Sequence, residues 1–98
     1  MSEARRSIGP DHILARNPDL MWSEIDGEIV LLAADTGSYF TFDRVASDIW
    51  RQMAEPLAVR TIVDRLCQTY DAPRAVIEAD AMRFLDHAVA RNVVLIDG

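Results

Sequence analysis

Hydrophobic and polar residues follow a strand-like pattern in the first half of the chain. Two apolar runs, at 20–25 and 28–34, are joined by Asp26-Gly27. An Asp-Gly pair between such runs predicts a β-hairpin with a type I′ turn, because both residues tolerate a positive φ. A second turn leads into the 38–42 segment, which is rich in aromatic and β-branched residues. We therefore predict a three-stranded antiparallel meander with the 38–42 strand at one edge.

The spacing of apolar residues becomes helical after residue 42. Apolar residues recur at i, i+3, i+4 and i+7 in three stretches, at 42–53, 59–70 and 77–88. Asp43 suits the N-cap of the first helix, and Asn92 suits a left-handed residue after the third. Strands followed by three helices predict an α+β fold with the helices on one face of the sheet. This order is compatible with a winged helix-turn-helix shape.

The two ends of the chain carry weaker patterns. Residues 1–10 are mostly polar, and we expect a flexible N-terminus there. The HILAR segment at 12–16 could form a short strand, and 93–96 is a short extended piece. The length of 98 residues is that of one domain, which we expect to span 11–98.

Composition and charge argue against several classes of function. The net charge is −6, whereas nucleic-acid binders carry clustered Lys and Arg that neutralise phosphates. A single cysteine, Cys67, allows no intrachain disulfide, and the longest apolar run has six residues, at 29–34. The first ten residues predict no signal peptide. We expect a cytoplasmic protein that binds neither nucleic acid nor membrane.

Candidate catalytic and metal-ligating residues are scattered along the sequence. Cys67 lies on the apolar stripe of the second helix, where a structural cysteine is the usual interpretation. His12 and His87 lie far apart, and their spacing from the cysteine matches no zinc motif. The four glycines form no phosphate-binding loop. We predict that the chain is not an enzyme and needs no cofactor or metal.

The 38–42 strand is the more informative feature. It lacks the charge, proline or bulge that usually protects a sheet edge. Such an edge suits β-augmentation, in which an extended peptide adds a strand. Two alternatives remain open at this point: the edge could pair in a homodimer, or the 12–16 segment could cover it.

The third helix would supply a wall beside this strand if it folds back onto the sheet. Its side away from the apolar stripe combines small residues with a methionine and an Arg/Asp pair, which would form a shallow groove with charged ends. Methionine adapts to varied partners. The alternative is an ordinary helix with a solvated outer face. The residues of this side are Ala79, Met82, Arg83, Asp86, Val89 and Ala90.

The chain resembles the PqqD-like family, the recognition elements of ribosomally synthesised and post-translationally modified peptides. The resemblance covers about 24–96 and depends on four segments in a fixed order. Their sequences are DGEIVLLAADTGSYFTFD, ASDIW, TIVDRLCQTYD and DAMRFLDHAVARNVVLI. Ala58, Ala81 and Asn92 depart from residues common in the family, at positions that concern stability rather than the groove.

The resemblance implies a winged-helix-like domain that binds a leader peptide as an added strand and performs no catalysis. It implies delivery of the leader to a leader peptidase or cyclase of a lasso-peptide pathway, or alternatively to a radical SAM enzyme. A winged-helix DNA binder is the other alternative that the helix order allows. The predicted peptide-binding residues are the six helix residues named above together with Ser38, Tyr39, Phe40, Thr41 and Phe42.

Overall fold

Two small antiparallel sheets and three helices make up the computed structural model, which describes residues 8–33 and 37–97. In chain order the elements are β1 (Ile13–Arg16), β2 (Met21–Ile25), β3 (Glu28–Ala33), β4 (Ser38–Thr41), α1 (Arg44–Gln52), β5 (Leu57–Ala58), α2 (Val59–Thr69), α3 (Arg74–Ala90) and β6 (Val94–Ile96).

The predicted meander is confirmed, with strand order β2-β3-β4. Asp26 and Gly27 have φ values of 53° and 84°, as the type I′ turn requires, and this turn pairs Ile25 with Glu28. Part of the second predicted turn, at 34–36, lies outside the described residues. The two-residue Asp26-Gly27 loop therefore sets the register in which β2 pairs with β3.

The meander buries one face and exposes the other. Ile29, Leu31 and Phe42 are buried on the inner face, against the helices. Because side chains alternate between faces along a strand, Leu32 and Tyr39 stand on the outer face, and both are exposed. The sheet is thus covered by helices on one side only, as the sequence pattern predicted.

A second sheet joins distant parts of the chain in the order β5-β1-β6. The 12–16 segment forms its central strand, and Leu14 is paired with Leu57 on one side and Ile96 on the other. The two end segments predicted to be extended are therefore strands. β1 pairs with β5 on one side and with β6 on the other, which places the first strand of the chain beside the last.

The packed part of the chain begins before residue 11. Ile8 is only 3% exposed, and its amide donates to Asp86 Oδ1 at 3.3 Å. The amide of Arg60 donates to the carbonyl of Pro10 at 3.0 Å. The predicted flexible segment 1–10 thus includes two residues, Ile8 and Pro10, that contact α3 and α2, while residues 1–7 lie outside the described part of the chain.

The helix ends follow the sequence signals. Asp43 caps α1, with its Oδ1 accepting from the Ala46 amide at 2.9 Å. Asn92 adopts φ 61° just after α3, and the Val93 amide donates to Ala88 at 2.9 Å, which closes a Schellman motif. No helix in residues 8–33 or 37–97 has both the length and the apolar character that a bilayer crossing demands.

A buried hydroxyl fixes the start of α1 against the sheet. Ser47 is fully buried; its Oγ accepts from the Ile29 amide at 3.0 Å and donates to the Phe42 carbonyl at 3.3 Å. This hydroxyl satisfies two backbone groups where the β3–β4 ladder ends. It therefore holds the chain that follows β4 in a defined position.

Arg16 links the two sheets to α1. Its guanidinium lies over the rings of Trp22 and Trp50, 4.8 and 4.9 Å from their centroids. Its Nε and Nη2 both donate to the carbonyl of Trp50, at 3.0 and 2.6 Å. Burial lowers the pKa of Arg16 from its ordinary value, but a guanidinium stays protonated in proteins. The side chain thus satisfies a carbonyl at the end of α1 while it stacks on two indoles.

Replacing Arg16 by Lys tests this link. Lysine cannot donate in the same two-pronged geometry or stack as a plane, so we expect the free energy of unfolding to fall by about 1–3 kcal/mol. Chemical denaturation measures this change. The control is Arg60→Lys, which alters only an exposed ion pair with Asp11 and should cost under about 0.5 kcal/mol. Equal losses in the two variants would contradict the assigned role.

Candidate functional site

The free edge of β4 presents unpaired backbone groups. The Phe42 amide donates to the carbonyl of Ile29 at 2.9 Å, so Phe42 faces β3. Residues of an antiparallel strand face their neighbour alternately, which directs Phe40 toward β3 as well and turns Tyr39 and Thr41 outward. Among the described residues no strand pairs with this side of β4. The N–H and C=O groups of Tyr39 and Thr41 therefore form an open row.

The side chains of β4 divide between the two faces of the sheet. Tyr39 points outward and is 69% exposed. Phe42 is buried and Phe40 is half-buried against the core. A strand added along this edge would therefore continue both the exposed outer face and the apolar inner face of the sheet.

Helix α3 reaches β4 through side chains of its near flank. Phe84 packs edge-to-face against Phe42, with ring centroids 5.1 Å apart. About two turns further on, at the end of α3, the guanidinium of Arg91 lies 5.9 Å from the Phe40 ring centroid. These two contacts set the distance between the helix and the inner side of the open edge.

A cleft of about 430 Å³ lies where the chain passes from β4 into α1, opposite α3. Its apolar part combines two residues of α1 with Phe84. Its rim carries two carboxylates, a guanidinium and an imidazole, and Arg83 is paired with Asp80 at 3.2 Å. The lining residues are Asp43, Val45, Ala46, Asp80, Arg83, Phe84 and His87. An apolar interior with a few polar groups at its edge is typical of a ligand site.

The structure separates the predicted helix residues into different surroundings. Arg83 lines the cleft, and Ala79 and Ala90 are exposed. Met82 and Val89 are half-buried against the core. Of the six residues predicted on this helix, only Arg83 lines the cleft.

Asp86 lies on the far flank of α3 from β4. It accepts a hydrogen bond from the amide of Ile8, whereas Phe84 and Arg91 contact the strand. At 100° per residue, Met82 and Val89 share the Asp86 flank.

The near flank of α3 was not among the residues predicted from the sequence. Asp80, Phe84, His87 and Arg91 recur at i, i+4, i+7 and i+11, so they share one side of the helix. That spacing identifies the set, and it lies immediately beside the buried stripe. The sequence offers no sign of which of the two flanks turns toward the strand, because the rotation of α3 is set by packing against α2 and β6.

The described residues hold no cluster suited to metal binding. Within residues 8–33 and 37–97, no three His, Cys, Asp or Glu side chains converge on one point. Cys67 is half-buried and packs against the core, as the sequence analysis expected.

An antiparallel sheet whose β4 edge is open and is flanked by a helix and a cleft defines a winged-helix-like domain equipped to accept a strand. The PqqD family, described as coenzyme PQQ synthesis protein D, matches residues 28–94. The chain belongs to this family.

Solved structures agree with this assignment. TbiB1, determined in complex with the TbiA(beta) leader peptide, is 32% identical; the match covers 82% of this chain and 93% of TbiB1, with a TM-score of 0.75. No curated protein matches the sequence.

Two more distant structures share the fold. The PqqD truncation of Methylobacterium extorquens PqqCD, described as a functional and stand-alone recognition element, is 23% identical over 95% of this chain and 99% of its own, with a TM-score of 0.76. Lasso peptide synthetase B1, complexed with a leader peptide, is 17% identical over 84% of this chain and 96% of its own, with a TM-score of 0.68.

Removing the Phe42–Phe84 contact by mutation tests how α3 is held beside β4. Phe84→Ala removes an aromatic pair and leaves a gap between the strand and the helix, so we expect the free energy of unfolding to fall by about 2–4 kcal/mol. Val76→Ala is the control, because Val76 lies on the same helix and is half exposed. Thermal unfolding followed by circular dichroism measures both. Similar melting temperatures for the two variants would contradict this packing role.

Proposed function

We propose that this protein binds the leader segment of a ribosomally synthesised precursor peptide as an added β-strand and presents it to modifying enzymes. The observation that carries the proposal is the outward row of backbone groups at Tyr39 and Thr41. TbiB1, at 32% identity, is a protein whose structure contains a leader peptide, which supports the same role here.

Affinity and selectivity come from different parts of this site. Backbone hydrogen bonds to Tyr39 and Thr41 accept an extended peptide of almost any sequence. Selectivity comes from alternate side chains of the peptide, because those on the inner face meet Phe40, Phe84 and the cleft. The charged rim residues Asp80 and Arg83 then favour leaders whose side chains combine an apolar body with a polar tip.

Presentation works by raising local concentration. A leader held on β4 keeps the attached core peptide near any enzyme that also contacts this protein, at an effective concentration of roughly millimolar for a short tether. We infer that the partner is a leader peptidase or cyclase of a lasso-peptide pathway, acting in the cytoplasm. In this scheme the protein itself makes and breaks no covalent bond. A radical SAM enzyme is the alternative partner.

A proline at Tyr39 tests strand addition directly. Tyr39→Pro removes an outward N–H that β3 does not use, and proline is tolerated on edge strands. With the leader of its cognate precursor peptide, calorimetry should show at least about a tenfold loss of affinity, the equivalent of one hydrogen bond and its neighbours. Tyr39→Ala is the matched control and keeps the N–H. It should bind within about threefold of the parent.

Equal binding by the Pro and Ala variants would refute strand addition at this edge. Absence of binding by the parent to that leader, in a folded sample, would refute the function itself.

Two variants on opposite flanks of α3 locate the groove. Arg83→Ala changes the cleft rim and should weaken leader binding several-fold, with the melting temperature unchanged, because Arg83 is an exposed side chain. Met82→Ala removes a half-buried side chain from the core and should lower the melting temperature by several degrees. Calorimetry and thermal unfolding measure the two effects. If Met82→Ala weakens leader binding without loss of stability, the peptide lies on the other flank.

A further inference from the structure

Strand β2 forms a second open edge on the same sheet. All five of its residues, Met21–Ile25, are exposed. Met21 and Ile25 are 59% and 56% exposed on the outer face. In the described part of the chain the sheet ends at β2 on this side.

The outward backbone groups of β2 follow from those of β3. Ile29 directs its carbonyl to β4, so the backbone N–H and C=O groups of Glu28, Val30 and Leu32 face β2. Their partners in β2 are Ile25, Ser23 and Met21. Trp22 and Glu24 therefore turn their N–H and C=O groups away from the sheet.

This edge carries few of the devices that usually protect the edge of a sheet. The strand contains no proline or lysine. Its one charged residue, Glu24, is held on the inner face by Arg51, whose Nη2 lies 3.1 Å from the carboxylate. An exposed strand of this kind is a template for another strand.

The β2 sequence is complementary to itself in one antiparallel register. With Ser23 opposite Ser23 of a second copy, Trp22 of each copy lies opposite Glu24 of the other. All outward backbone groups of Trp22 and Glu24 are then paired. Met21 then lies opposite Ile25 of the second copy, where the strands approach most closely and apolar side chains bury each other.

Neighbouring registers are worse. With Glu24 opposite Glu24, like charges meet across the pair. With Trp22 opposite Trp22, the next pair needs the amide of Leu20, which already donates to Asn17. The register centred on Ser23 avoids both problems.

We propose that two copies of this protein associate through β2, about a two-fold axis at Ser23, to form a continuous six-stranded sheet. The axis lies on the opposite side of β3 from β4, so each copy keeps its peptide-accepting edge open. The dimer would then carry two leader peptides at its outer edges. A single strand pair buries less area than a standard interface of roughly 800 Å² per partner. We therefore expect a weak dimer, with a dissociation constant of about 10–300 µM.

Sedimentation over a concentration series tests the association. We expect the weight-average mass of the parent chain to rise from that of a monomer toward that of a dimer as the protein concentration increases through this range. Ser23→Lys places two ammonium groups together on the axis and should keep the protein monomeric, at least tenfold weaker in association. Ser23→Thr is the matched control and should associate as the parent does. A parent that stays monomeric at all concentrations, or a Lys variant that associates normally, overturns the proposal.

Cross-linking identifies the edge. Residues in a pair without backbone hydrogen bonds have Cα atoms about 4.5 Å apart, within disulfide range. In a Cys67→Ala background, Ser23→Cys should oxidise to a covalent dimer, whereas Thr41→Cys on β4 should not. Faster cross-linking through Thr41 would place the dimer on the peptide edge and overturn the proposal.

Discussion

The alternation of backbone hydrogen bonds across one central strand governs this molecule. β3 bonds to β4 through one set of its residues and to β2 through the other. The backbone N–H and C=O groups of β4 that do not bond to β3 point away from the sheet, and these groups belong to Tyr39 and Thr41. Unpaired backbone groups raise the free energy of the protein if they are buried, but water satisfies them when they are exposed. The exposed row is therefore available to a peptide that brings complementary N–H and C=O groups.

The rest of the fold keeps this row open and gives it a wall. Ser47 closes the end of the ladder with a side chain rather than with another strand. Arg16, stacked on two tryptophans, ties α1 to the hairpin. The Phe42–Phe84 contact then holds α3 beside β4. The N-terminal segment, which could have covered the edge, is engaged elsewhere, as the central strand of the second sheet.

Local features were predictable from sequence, and relative orientations were not. The Asp26-Gly27 turn, the Asp43 cap and the left-handed Asn92 each depend on a few neighbouring residues, and each is confirmed. The β5-β1-β6 sheet joins segments more than 40 residues apart, so no local pattern indicates it. The rotation of α3 is likewise a packing outcome. Arg83, which the sequence predicted for peptide binding, lines the cleft, and so do Phe84 and His87, which the sequence did not predict.

Amide hydrogen exchange at β4, with and without leader peptide, tests the central claim most directly. The Tyr39 and Thr41 amides should exchange rapidly in the free protein, whereas the Phe40 amide, bonded to β3, exchanges slowly. Saturating leader should slow Tyr39 and Thr41 by at least about tenfold and leave Phe40 unchanged. Slow exchange at Tyr39 and Thr41 before leader is added, or no change when it is bound, would contradict an open edge that a peptide fills.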